Sequence, residues 1–87
     1  MAIRSKKLSE QELRDFIQQG VLSLVTLELQ ENKEFRVIAT TNSGVRLSLM
    51  AARGYPRAFR DPRKAFDWAK KLGISRVELN LNTKTWG

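Results

Sequence analysis

Apolar residues fall at helical spacing at Leu13, Phe16 and Ile17, directly behind the run Ser9-Glu10-Gln11-Glu12. That run is a capping box: the Ser9 hydroxyl accepts from the residue-12 amide while the Glu12 carboxylate reaches back to the Ser9 amide. Leu8 and Leu13 flank it at the staple positions, and Gly20 stands where a left-handed helix end is wanted. The pattern predicts a helix over about residues 10–19. At Val21 the period changes to that of a strand. Val21, Val25, Leu27 and Leu29 share one face, with Thr26 and Glu28 on the other. Glu31-Asn32-Lys33-Glu34 reads as a hairpin loop, after which Phe35, Val37 and Ala39 alternate with Arg36, Ile38 and Thr40. Beyond the turn residues Asn42-Ser43-Gly44, Val45, Leu47, Leu49 and Ala51 face inward while Arg46, Ser48 and Met50 face out. An antiparallel three-stranded meander thus accounts for residues 21–52.

Asp61 and Pro62 open a second helix, Asp as cap and Pro at the first position. Ala65, Phe66, Ala69 and Leu72 form its expected buried stripe, with Trp68 at the margin. Gly73 closes it, and Ile74 is the hydrophobic residue that follows such an end. Val77, Leu79 and Leu81 then alternate with Arg76, Glu78 and Asn80 in a fourth strand. The expected architecture is α+β, a single domain over 1–87 in the order α-β-β-β-α-β. The meander and the fourth strand form the sheet, and the helices pack on one of its faces. Residues 1–7, with Arg4, Lys6 and Lys7, read as a basic N-terminal arm. Residues 82–87 read as an irregular tail in which Trp86 either covers the sheet or serves self-association.

Composition narrows the chemistry. A chain of 87 residues makes one domain and hides only about 60% of its unfolded surface, so a homo-oligomer is a natural expectation. There is no cysteine and no histidine. Their absence removes disulfides, His-based acid–base chemistry, Ser-His-Asp and Cys-His nucleophile systems and ordinary zinc sites. The five glycines are isolated and form no phosphate-cradling loop. The expectation is a protein that is not an enzyme, with no catalytic residue, cofactor or metal. The longest mainly apolar run, Val21 to Leu29, is broken by Ser23, Thr26 and Glu28 and cannot span a bilayer. Met1 to Lys7 has no apolar run behind it and does not read as a signal peptide. A cytoplasmic protein without a membrane partner is the default.

Charge supplies the positive signal. Of the net +7, residues 45–64 hold +5, six cations against Asp61 alone. Five of those cations, Arg53, Arg57, Arg60, Arg63 and Lys64, fall within twelve positions that also contain Tyr55, Phe59, Gly54, Pro56 and Pro62. Crowded cations repel one another, and a polyanion offsets that cost by releasing counterions when its phosphates are neutralised. DNA, held through its phosphates, is therefore the leading partner, with Tyr55 and Phe59 as planar surfaces for bases or sugars. Phe59 fits the core better than a contact, being a bulky residue just before a helix cap, and Tyr55 divides evenly between the two roles. Arg63 and Lys64 sit in the first turn of the second helix, where cations are mildly unfavourable unless an anion lies nearby. The outward face of the meander adds Arg36 and Arg46 as candidate base or phosphate contacts. Glu28 does not suit that role, and an ordinary solvent face of mixed charge is the simpler account there. The alternative partner is an acidic protein surface, for which arginines and aromatics serve equally well. A double-stranded-RNA reader shares the α-β-β-β-α order but lacks this fourth strand.

Three segments together carry a family resemblance. They are Lys-Lys-Leu-Ser-Glu-Gln-Glu-Leu-Arg-Asp-Phe-Ile from Lys6, Ala-Arg-Gly-Tyr-Pro-Arg-Ala-Phe-Arg-Asp-Pro-Arg-Lys-Ala from Ala52, and Leu-Gly-Ile-Ser-Arg-Val-Glu-Leu from Leu72. The chain resembles small plasmid-borne, partition-associated proteins of the ParC type, over most of its length. The resemblance implies an accessory role in the maintenance of plasmids or integrative elements, beside a partition ATPase and a centromere-binding protein. It carries over no site residues.

Overall fold

The computed structural model describes residues 6–51 and 54–81. The capping box forms as its spacing dictates. Ser9 Oγ accepts from the Glu12 amide at 3.1 Å, and Glu12 Oε1 accepts from the Ser9 amide at 2.9 Å. The helix it starts, α1, runs Glu10–Gln19 and ends on Gly20 at φ 70°, a left-handed conformation that costs glycine nothing. Asp61 likewise accepts from the Arg63 amide at 2.9 Å and opens α2, Pro62–Leu72.

The meander is present as β2 (Leu22–Leu29), β3 (Phe35–Thr41) and β4 (Arg46–Leu49), and β6 (Val77–Asn80) pairs in parallel with β2. Two further strands lie outside the expected set. Lys6 and Lys7, expected in a basic arm, and Leu8, expected as a staple residue of the first helix, form strand β1, which pairs in parallel with β4, Leu8 opposite Leu49. Ala58–Phe59 is β5, which continues beside β3 where β4 leaves it, Phe59 opposite Phe35. The sheet order is β1-β4-β3-β2-β6, with β5 beside β3. Both helices contribute to a single cluster on one side of this mixed α+β sheet: Leu13 from α1 and Ala65 from α2 meet Val25, Leu27, Val37 and Leu49. The opposite side carries no helix among the described residues.

Three expected orientations change. Ser23 sits at a bulge where the β2–β3 register shifts, and its hydroxyl lies 3.2 Å from the Thr40 carbonyl and 3.3 Å from that of Thr41. The inserted residue reverses the alternation, so that Leu22 rather than Val21 packs on the core. Val45 precedes β4 and is 40% exposed. In α2, Phe66 is also 40% exposed and Trp68 takes its place against the core. The helical wheel explains the exchange: Trp68 lies about 60° from Ala65 and Phe66 about 100°. No helix among the described residues is long and apolar enough to cross a membrane. The C-terminal tail, with Trp86, lies outside the described residues.

Leu13 has no exposed surface, whereas Tyr55 is 69% exposed. Leu13→Ala is expected to lower unfolding free energy by about 3 kcal/mol, and Tyr55→Ala by less than about 0.5 kcal/mol. Urea denaturation followed by circular dichroism measures both.

Candidate nucleic-acid interface

The basic segment begins as a tight turn and ends as a strand. The Gly54 amide donates to the Ala51 carbonyl at 2.9 Å and the Ala51 amide to the Tyr55 carbonyl at 2.6 Å, with Gly54 at φ 85°. Met50 then bridges Pro56, and the Arg57 amide donates to the Leu49 carbonyl at 2.9 Å. Arg53 lies outside the described residues. Tyr55 is exposed at the tip of the turn.

Alternation along β5 sends neighbouring side chains to opposite faces. Phe59 packs on the core, as expected of a residue before a helix cap, and Arg57 shares its side. The Arg57 guanidinium lies 4.9 Å from the Phe59 ring centroid, and that ring stands 5.5 Å from the Trp68 ring. Trp68 Nε1 donates to Glu10 Oε1 at 3.3 Å, and Arg14 Nη2 donates to Glu10 Oε2 at 3.0 Å. Arg57 is thus half-buried in the helix layer, at the end of a row that ties the β5 segment to α1. Its Nε is buried and makes no hydrogen bond among the described residues. The Glu10 carboxyl is held below its ordinary range, first by the Arg14 hydrogen bond, then by those of Trp68 and the charges of Arg14 and Arg57; partial burial opposes them.

The other side of the sheet gathers a different set. Arg36 faces Ala58 on one neighbouring strand and Glu28 on the other. Continuing the β3–β5 register by one residue sets Arg60 opposite Glu34, and Arg60 Nε does donate to Glu34 Oε2 at 3.4 Å. Arg46 pairs with Glu28. These two lie in different cross-strand rows, Arg46 beside Thr40 and Glu28 beside Arg36, so their ion pair crosses the row of Ile38. Ile38 is only 6% exposed although no helix among the described residues covers it. Lys7, opposite Ser48, belongs to the same face. The bare face therefore carries Lys7, Arg36, Arg46 and Arg60 with Glu28 and Glu34 between them. Arg63 and Lys64 stand exposed in the first turn of α2.

The candidate cations are thus sorted by strand parity. Arg36, Arg46 and Arg60 share the bare face, Arg63 and Lys64 start α2, and Arg57 turns the other way. Arg46 and Arg60 keep guanidinium donors beyond those their carboxylates accept, and exposed ion pairs of this kind contribute little stability. An approaching phosphate can displace them at small cost. Sequence reasoning missed Lys7 as a member of the face, because a three-residue strand with one buried side chain has no readable period.

Glu10 supplies a test of the row that ties β5 to α1. Because the fold favours its charged form, the contribution is present above the ordinary value of 4.5 and is lost as the pH falls through the lowered one. Glu10→Gln is expected to flatten the fall in stability over that acidic range. The measurement is thermal unfolding at a series of pH values, compared with the unaltered chain.

Comparison of the chain with family models, with curated proteins and with solved structures finds no match.

Proposed function

We propose that this domain is a non-enzymatic, cytoplasmic accessory protein of plasmid or mobile-element maintenance that binds DNA through its phosphates. The observation that carries the DNA-binding part is the set of three arginines, Arg36, Arg46 and Arg60, on a sheet face without a helix, beside exposed Arg63 and Lys64. Their spacing over adjacent strands suits a charged backbone laid across the sheet, since neighbouring strands lie about 4.8 Å apart. Phosphate contacts of this kind set position and orientation and carry no sequence information directly. Tyr55 at the exposed turn offers a stacking or sugar contact at the margin.

The roles of the acidic residues support the non-enzymatic part. Glu12 and Asp61 cap helices, and Glu10, Glu28, Glu34 and Glu78 are each paired with an arginine. With histidine and cysteine missing from the chain, six of its nine carboxylates thus serve as helix caps or arginine partners. The maintenance role rests on the resemblance to partition-associated proteins, and in that setting a partition ATPase or centromere-binding protein is a second partner.

Fluorescence anisotropy with a labelled DNA duplex at several salt concentrations tests the reading. Affinity is expected to fall steeply with salt, and replacing both Arg36 and Arg60 by alanine to lower the logarithmic slope by about two. Binding that is absent or indifferent to salt overturns it. Preference for duplex RNA in competition, or a pull-down of an acidic protein that survives nuclease while DNA does not shift, replaces it with a different partner.

A further inference from the structure

The two edges of the sheet are built differently. At one edge β1 presents Lys7, and a lysine on an edge strand discourages pairing with another chain. At the other edge β6 has no neighbour on its outer side among the described residues. Here Leu79 is 41% exposed although Leu27, opposite it in β2, is 1% exposed. The apolar row is cut off by the end of the sheet. Leu81, just beyond, is 52% exposed. Phe66 lies on the flank of α2 away from Trp68, and Trp68 is the residue that reaches α1. That flank is the one nearer the β6 edge, because Trp68 stands against Phe59 of β5, which lies on the side of β3 away from β2 and β6. Three large apolar side chains thus lie toward the edge at which β6 has no further paired strand among the described residues.

We propose that β6 pairs antiparallel with β6 of a second copy of this chain about a two-fold axis. The sequence of the edge is self-complementary in one register. With Val77 opposite the partner's Val77, Arg76 meets the partner's Glu78, and the symmetry repeats the pair. The adjacent registers that keep the faces matched set Glu78 against Glu78 or Arg76 against Arg76, and like charges directly opposite are destabilising. Within one chain Arg76 and Glu78 are already neighbours on the bare face, 3.6 Å apart and largely exposed. A two-fold axis perpendicular to the sheet keeps all four helices on one side. It brings Phe66 and Leu79 of both copies to one seam and joins the two bare faces into one surface.

Sedimentation equilibrium on the full chain tests this without nucleic acid and so stands apart from the DNA-binding reading. The expected mass at high micromolar concentration is that of a dimer. Glu78→Arg opposes two arginines at each end of the seam and is expected to raise the dissociation constant about tenfold. The double variant Arg76→Glu, Glu78→Arg restores the opposite pairing and the dimer. Phe66→Ser, on a different element, weakens the same dimer, and circular dichroism verifies that each variant is folded. A monomer at all concentrations, a dimer indifferent to Glu78→Arg, or a double variant as weak as the single one overturns the proposal.

Discussion

Burial of one sheet face under two short helices is the constraint from which the other features follow. The largest of the fully buried side chains belong to a single layer, where Leu13, Leu27 and Leu49 are almost wholly removed from water. Fully burying a side chain of that size contributes roughly 2 kcal/mol, so a few such contacts dominate the stability of so small a domain. Both helices are crossover connections between strands that run the same way, α1 from β1 to β2 and α2 from β5 to β6. Crossovers of one hand place their helices on the same side. No third helix remains among the described residues for the other face, which must be finished with polar side chains. The arginines and glutamates of β2, β3 and β4 meet that requirement and at the same time create a charged surface.

Elements with a cap and a sustained period were legible in the sequence. The capping box at Ser9, the Asp61-Pro62 start, both glycine ends and the alternation of β3 and β4 each carry a local signal that the fold obeys. What escaped reading is short or depends on distant partners. Lys6–Leu8 and Ala58–Phe59 become strands only because β4 and β3 offer open edges at those points, and two or three residues have no period of their own. The bulge at Ser23 hides within a run of apolar residues where either parity looks acceptable. Phe66 and Trp68 differ in burial because of which flank of α2 faces α1, a fact of packing and not of pattern.

The candidate interface was legible as charge and illegible as geometry. Clustering of cations between residues 45 and 64 is visible in the sequence, but their division between faces depends on the register of a two-residue strand. Arg57 illustrates the difference. One position along from Ala58 puts its guanidinium against Phe59 in the helix layer, while Arg60 falls opposite Glu34 on the bare side. Arg36 and Arg46, weighed at first as members of an ordinary solvent face, join Arg60 through pairing across strands, which a linear reading cannot supply.

The parallel pairing of β2 with β6 has a consequence for the order in which the chain folds. Leu22–Leu29 can close its hairpin with β3 as soon as both strands exist, yet its other edge waits for residues about fifty positions later. Contacts of such separation form late, because the intervening loop entropy must first be overcome. During synthesis the most apolar strand of the domain is therefore open on one side until Val77–Asn80 arrives. A chain cut short before Val77 keeps that edge unpaired and is exposed to aggregation through β2, even though its two helices and its meander are complete.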